Sequence, residues 1–66
     1  MRIDRVKMAA AMIRADISGI ELAKKAGVSR STVTAVRTGK SCSKETADKL
    51  AVGLGVPLAD IIKEGE

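Results

Sequence analysis

The sequence predicts an all-α domain of five helices. Apolar residues recur at spacings of three and four along most of the chain. Asp, Ser or Pro stands at the start of each such stretch, and Gly closes three of them, as expected of residues that cap and terminate helices. No segment alternates apolar and polar residues as a half-buried strand does, and there is no internal repeat or low-complexity tract.

Helix one is expected from about Asp4 to Ala15, with Asp4 as its N-cap and with Met1 and Arg2 frayed ahead of it. Ile3, Val6, Ala10 and Ile13 have the spacing of an apolar stripe, and Ala9 to Ala11 combine high helix propensity with room for a neighbouring helix. Helix two has the clearest start. Ser18 and Glu21 form a capping box and Ile17 and Leu22 a hydrophobic staple, so the helix begins at Gly19. Gly27, free to adopt left-handed backbone, ends it after Ala26. A helix of about two turns does not survive alone and has to pack on something.

Val28, Ser29 and Val33 repeat the staple and cap for helix three, and the Gly-Val-Ser connection leaves almost no slack, which fixes a steep crossing angle. Leu22, Ala23, Ala26, Val28, Val33 and Val36 meet between the two helices. Gly39 ends helix three, and GKSCS reads as a basic, flexible loop. Ser43 caps helix four, which runs from Lys44 to about Leu54 with Ala47, Leu50, Ala51 and Leu54 inward, and Gly55 closes it. Pro57 opens a short fifth helix with Leu58, Ile61 and Ile62 on its apolar face, before a polar, loose KEGE tail.

Sixty-six residues make one domain, 1–66, and a chain of that length buries only about 60% of its unfolded surface. With no Phe, Tyr or Trp, the core has to come from Ala, Val, Leu, Ile and Met, so a partner is expected to add stability. One Cys and no His leave too few ligands for a disulfide framework or a zinc site; no metal and no cofactor are expected, and the compartment is a reducing one. No apolar run approaches the roughly 20 residues that span a bilayer, and the first ten residues are unlike a leader, which makes the cytoplasm the expected location.

Enzyme chemistry has no foothold. Ser41 and Lys44 fit an S-x-x-K spacing without its companion motifs, and Gly53 and Gly55 form a bare G-x-G with no strand before it. The expectation is a protein that is not an enzyme and takes no small-molecule ligand. Cys42 has two readings: a thiol activated by Lys40 and Lys44, or, more commonly for a lone Cys, a small buried apolar residue.

The net charge is +4, from 12 Lys and Arg against 8 Asp and Glu. No acid lies between Glu21 and Glu45, an interval that holds Lys24, Lys25, Arg30, Arg37, Lys40 and Lys44. Solvated cationic heads account for such a cluster as well as a polyanionic partner does. Helix three, inside this interval, puts Thr32, Val33 and Val36 on one side and Arg30, Ser31, Thr34 and Thr38 on the other. Short hydroxyls with one long cation suit the edges of base pairs better than a core. The pattern points to a helix-turn-helix over about 19–38, with helix three in the DNA major groove.

The segment GIELAKKAGVSRSTVTAVRTG, from Gly19 to Gly39, resembles the helix-turn-helix of the XRE family, the phage repressor and Cro type. Leu22, Ala23, Gly27, Val28, Ser29, Val33, Val36 and the Gly39-Lys40 loop carry the likeness, and LAVGLGVPLADII is similar to the family's last two helices. The resemblance covers nearly the whole chain. It implies a five-helix, lambda-repressor-like domain in a bacterial or phage cytoplasm, bound to the nucleoid when on DNA, and dimeric on a two-fold symmetric operator. By position, Arg30, Ser31, Thr34 and Ala35 are similar to base-facing residues, and Ser18, Thr32, Thr38, Lys40 and Ser41 to phosphate-contacting ones; Ser29 at the amino end of helix three is placed with the latter. Two departures stand out. Gly19 replaces a frequent Gln, and Met12 and Arg37 occupy the positions of an Arg and Glu that form an ion pair in some members.

Charge alone adds Lys44 and Arg37 to the cations available for phosphate. Val56, Leu58, Ile61 and Ile62 exceed the obvious needs of a small core and are the expected dimer interface, with monomer core as the other reading. The leading expectation is a sequence-specific repressor on double-stranded DNA. The alternative is a protein-interaction module, an antitoxin-like partner that binds another protein through helices four and five and uses DNA secondarily.

Overall fold

The structure is a computed structural model that describes residues 1–63. Its described residues form α1 (Arg5–Ala15), α2 (Gly19–Ala26), α3 (Arg30–Arg37) and α4 (Lys44–Leu54), followed by one 3-10 turn at Leu58–Asp60. The architecture is all-α, with α2 laid against α4, α3 packed on α2 and α1, and α1 also touching α4.

Local chemistry sets each boundary. Asp4 Oδ1 accepts from the amides of Val6 (2.9 Å) and Lys7 (3.1 Å), which caps α1. The Lys7 amide is the main cause of an Asp4 carboxyl held below the usual carboxylate range, so this cap is intact at neutral pH and weakens as pH falls through the lowered value. In α2 the capping box is complete: Glu21 N donates to Ser18 Oγ at 3.1 Å and Ser18 N to Glu21 Oε1 at 3.3 Å. Gly27 closes α2 in left-handed backbone at φ 72°. Ser29 and Ser43 cap α3 and α4 through the amides of Thr32 (3.2 Å) and Thr46 (3.1 Å).

The core gathers Met8, Ala11 and Met12 of α1, Leu22, Ala23 and Ala26 of α2, Val33 and Val36 of α3, and Ala47, Leu50, Ala51 and Leu54 of α4, closed by Ile3, Ile17 and Ile61. All four inward residues expected on α4 are there. The stripe expected on α1 is not: Val6 and Ile13 are each 78% exposed, and only Ile3 of that set is buried. Met8, Ala11 and Met12 form a second apolar side on the same helix, and it is this bulkier, more flexible side that fills the core.

The expected fifth helix is replaced by the single 3-10 turn. Ile61 leaves helical backbone at φ −123° because the chain is drawn into an extended pairing with the amino terminus. Asp4 N donates to Ile61 O at 2.7 Å, Lys63 N donates to Arg2 O at 3.0 Å, and Ile3 and Ile62 form an isolated antiparallel bridge. Arg2 is therefore tied rather than frayed, and Met1 O accepts from Cys42 N at 2.8 Å, which also holds the 39–43 loop expected to be flexible. Of the tail, Lys63 is pinned, and Glu64, Gly65 and Glu66 lie outside the described residues. Ile61 is fully buried in the chain's own core and is not available to a dimer interface; Val56, Leu58 and Ile62 are half-buried against that core.

α2 and α4 approach closely at Gly53. A Cβ there would stand 3.0 Å from Leu22 Cδ1 and 3.1 Å from both the Cβ and the amide nitrogen of Ala26. Gly53→Ala gains helix propensity of about 1 kcal/mol but meets backbone that cannot yield, at a cost of about 1–3 kcal/mol. Urea unfolding should show a net loss of about 1 kcal/mol; a stabilised variant would contradict the close packing of α2 on α4.

Candidate nucleic-acid interface

The inner side of α3 is held by Val33 and Val36, 2% and 1% exposed, against α1 and α2. Its other side is thereby turned to solvent. Arg30, Ser31 and Thr34 are exposed and Ala35 is half-buried, and together with Thr38 and Lys40 they line one shallow concave surface. All four residues expected to face bases are gathered there with two of those expected at phosphates. Lys40 reaches this surface because Gly39 turns the chain at φ 98° and Lys40 N then donates to Ala35 O at 3.1 Å.

Hydroxyls crowd the amino end of α3. Ser29 Oγ lies 2.8 Å from Thr32 Oγ1 and 3.1 Å from Ser31 Oγ while accepting from Thr32 N, a small network that fixes all three side chains. Thr38 differs: its hydroxyl donates to Ala35 O at 2.8 Å, so its single proton is already committed to the helix end. Ser18 stands exposed at the N-cap of α2, and Ser41 and Lys44 are exposed beyond the concave surface.

Arg37 faces a different way. Its Nη1 sits 3.3 Å from where a Cβ would stand on Gly19, so the guanidinium occupies space over the first turn of α2 that a longer residue at position 19 would claim. It lines a shallow groove with Ala9, Met12 and Ile13 of α1 and with Asp16 and Ile17 just beyond it. Sequence reasoning missed Arg5, whose Cδ stands 3.6 Å from a Cβ built on Gly39, beside the turn that presents Lys40. No local motif marks it, because the two meet only through the packing of α1 on α3.

Among the described residues, no group of three or more His, Cys, Asp or Glu could hold a metal ion, and no helix is long and apolar enough to cross a membrane.

A short helix wedged by a glycine turn, with a buried apolar side and an acid-free polar side turned outward, defines a helix-turn-helix DNA-binding domain. The family model described as Helix-turn-helix matches residues 8–61, and the chain belongs to that family, the XRE type of DNA-binding transcription regulators. No curated protein and no solved structure matches it.

Of the two readings of Cys42, the structure fits the apolar one. Its thiol packs against the core, and burial pushes its pKa up, with the amino-terminal charge a smaller opposing effect. Activation by Lys40 and Lys44, the less common reading, is not among the causes that set it. Iodoacetamide should label the folded chain at neutral pH at least about tenfold more slowly than the urea-unfolded chain, as followed by mass spectrometry; equal rates would place the thiol in open solvent.

Proposed function

We propose that the chain is a sequence-specific transcription regulator, a Cro-type repressor that binds a palindromic operator in double-stranded DNA as a homodimer. The observation that supports this best is the outward face of α3, where Arg30, Ser31, Thr34, Ala35, Thr38 and Lys40 share one concave surface. An α-helix fits the major groove, where every base pair presents a distinct set of donors, acceptors and methyls. Arg30, at the amino end of α3, reaches guanine O6 and N7 with two hydrogen bonds. Thr34, one turn on, offers a methyl or a hydroxyl to the next base step. Ser31 and Ala35 are small enough to let the helix sit deep.

Affinity comes from the backbone. Lys40, Lys44 and Arg37 supply full charges, while Ser18, Ser29, Thr32 and Ser41 offer hydroxyls beside the amide-rich amino ends of α2 and α3. Thr38 contributes a donor only by exchanging its bond to Ala35 O. Arg37, lodged over Gly19, stands in for the side chain that other family members place at the start of α2. One such helix buries too little surface for tight binding. A dimer through Val56, Leu58 and Ile62 would set two α3 helices about 34 Å apart on symmetric half-sites and occlude a promoter in the nucleoid.

Operators selected from random duplexes test the reading. Arg30→Ala should lose about 1–3 kcal/mol of discrimination at one base pair of each half-site while random DNA binds almost as before. Lys40→Ala should weaken both kinds of duplex and reduce the slope of log K against log salt by about 1. Equal losses on operator and random DNA for Arg30→Ala would remove its base-reading role, and an unchanged slope for Lys40→Ala would remove its phosphate role.

A further inference from the structure

α1 is apolar on two sides. Met8, Ala11 and Met12 fill the core, and Val6, Ala9, Ala10 and Ile13 form a stripe on the outside, with Val6 and Ile13 each 78% exposed. At 100° per residue this stripe is roughly 100° wide, with Arg5 along one border and Arg14 along the other. Arg37 joins Arg5 at the first border, where both line a shallow groove with the four apolar residues. Val6 and Ala10 continue on the other side into a second groove where two cations, Lys7 and Arg14, outnumber one carboxylate, Asp60, and which ends at Ala59 and at Val56 of the proposed dimer seam. Scattered exposed apolar side chains are ordinary; a continuous strip between two cationic borders is the form of a docking site.

We propose that this stripe docks an amphipathic helix of another protein whose apolar face is edged by Asp and Glu. Charge decides the occupant. Arg5 and Arg37 on one border and Arg14 on the other each gain a carboxylate from an acid-edged helix. A second copy laid α1 on α1 would instead gather the guanidinium groups of both copies around one apolar strip, and like charges so placed disfavour the pairing. Val6 and Ile13 anchor the partner, and the arginines set its orientation and speed its capture.

Position gives the site a consequence. Arg5 stands beside the Gly39 turn that presents Lys40, and Arg37 lies over the start of α2. A docked acidic helix neutralises both cations at the edge of the DNA-facing surface and so weakens DNA binding, with reciprocal weakening of the partner by DNA. This coupling rests on the DNA-binding reading of α3; the docking does not.

The test uses the full 15N-labelled chain and a stapled helical peptide with Leu along one face and Glu on both flanks, beside the same peptide with Lys flanks. Amide shifts should cluster on residues 5–14 and at Arg37. The Lys-flanked peptide should bind at least about tenfold more weakly. A Val6→Ser, Ile13→Ser double variant, altered only at exposed positions, should lose at least about tenfold in peptide affinity while its circular dichroism and duplex affinity stay unchanged. Shifts centred on residues 30–40, equal binding of the two peptides, or undiminished binding by the double variant would overturn the site. So would a dimer in sedimentation that the double variant converts to monomer, since the occupant would then be a second copy. A peptide that docks on α1 and leaves duplex affinity unchanged overturns the coupling alone.

Discussion

The approach of α2 to α4 at Gly53 is the constraint on which the rest of the structure depends. Leu22 and Ala26 meet a helix that has no side chain at that point, so the two backbones close to a distance at which a methyl group would push its neighbours aside by a few tenths of an ångström. α2 is only eight residues long and owes its order to this contact and to its capping box. α3 follows through Gly27, Val28 and Ser29, a connection too short to permit a second arrangement. The tilt of α3, and with it the side that meets solvent, is thus set by small residues two helices away.

The remaining stability comes from closing the chain on itself. Without aromatic side chains, the core is built from methyl-rich residues and three methionine and cysteine sulfurs that reach it, Met8, Met12 and Cys42. The amino terminus adds three backbone ties, from Met1 to Cys42, Arg2 to Lys63 and Asp4 to Ile61, which fasten the strand-like ends behind the helices. These ties also explain why Ile61 is spent on the core and why the last element stops after one turn.

What could be read in the sequence was whatever is decided within a few residues. Ser18 with Glu21, Ser29 before Thr32, and the left-handed glycines at 27 and 55 are local chemistry, and α2, α3 and α4 lie where those signals put them. The polar side of α3 was legible for the same reason, since burying Val33 and Val36 leaves Arg30, Ser31 and Thr34 no other direction. α1 was legible as a helix but not in its orientation, because Val6 with Ile13 and Met8 with Met12 make equally plausible inner faces and only the neighbouring helices choose. The places of Arg5 and Arg37, the arrest of the fifth helix and the raised pKa of Cys42 depend on partners distant in sequence, so no window along the chain contained them.

Fold and function meet in the proposal that DNA lies against the solvent-facing side of α3. Amide chemical-shift mapping with a duplex enriched from random sequence tests it most directly. The account predicts that the largest changes fall on Arg30, Ser31, Thr34, Ala35 and Lys40, with smaller ones at the start of α2 and little change along Val6, Ala9 and Ile13. Changes centred on α1, or on the half-buried residues after Gly55, with α3 unaffected, would contradict it.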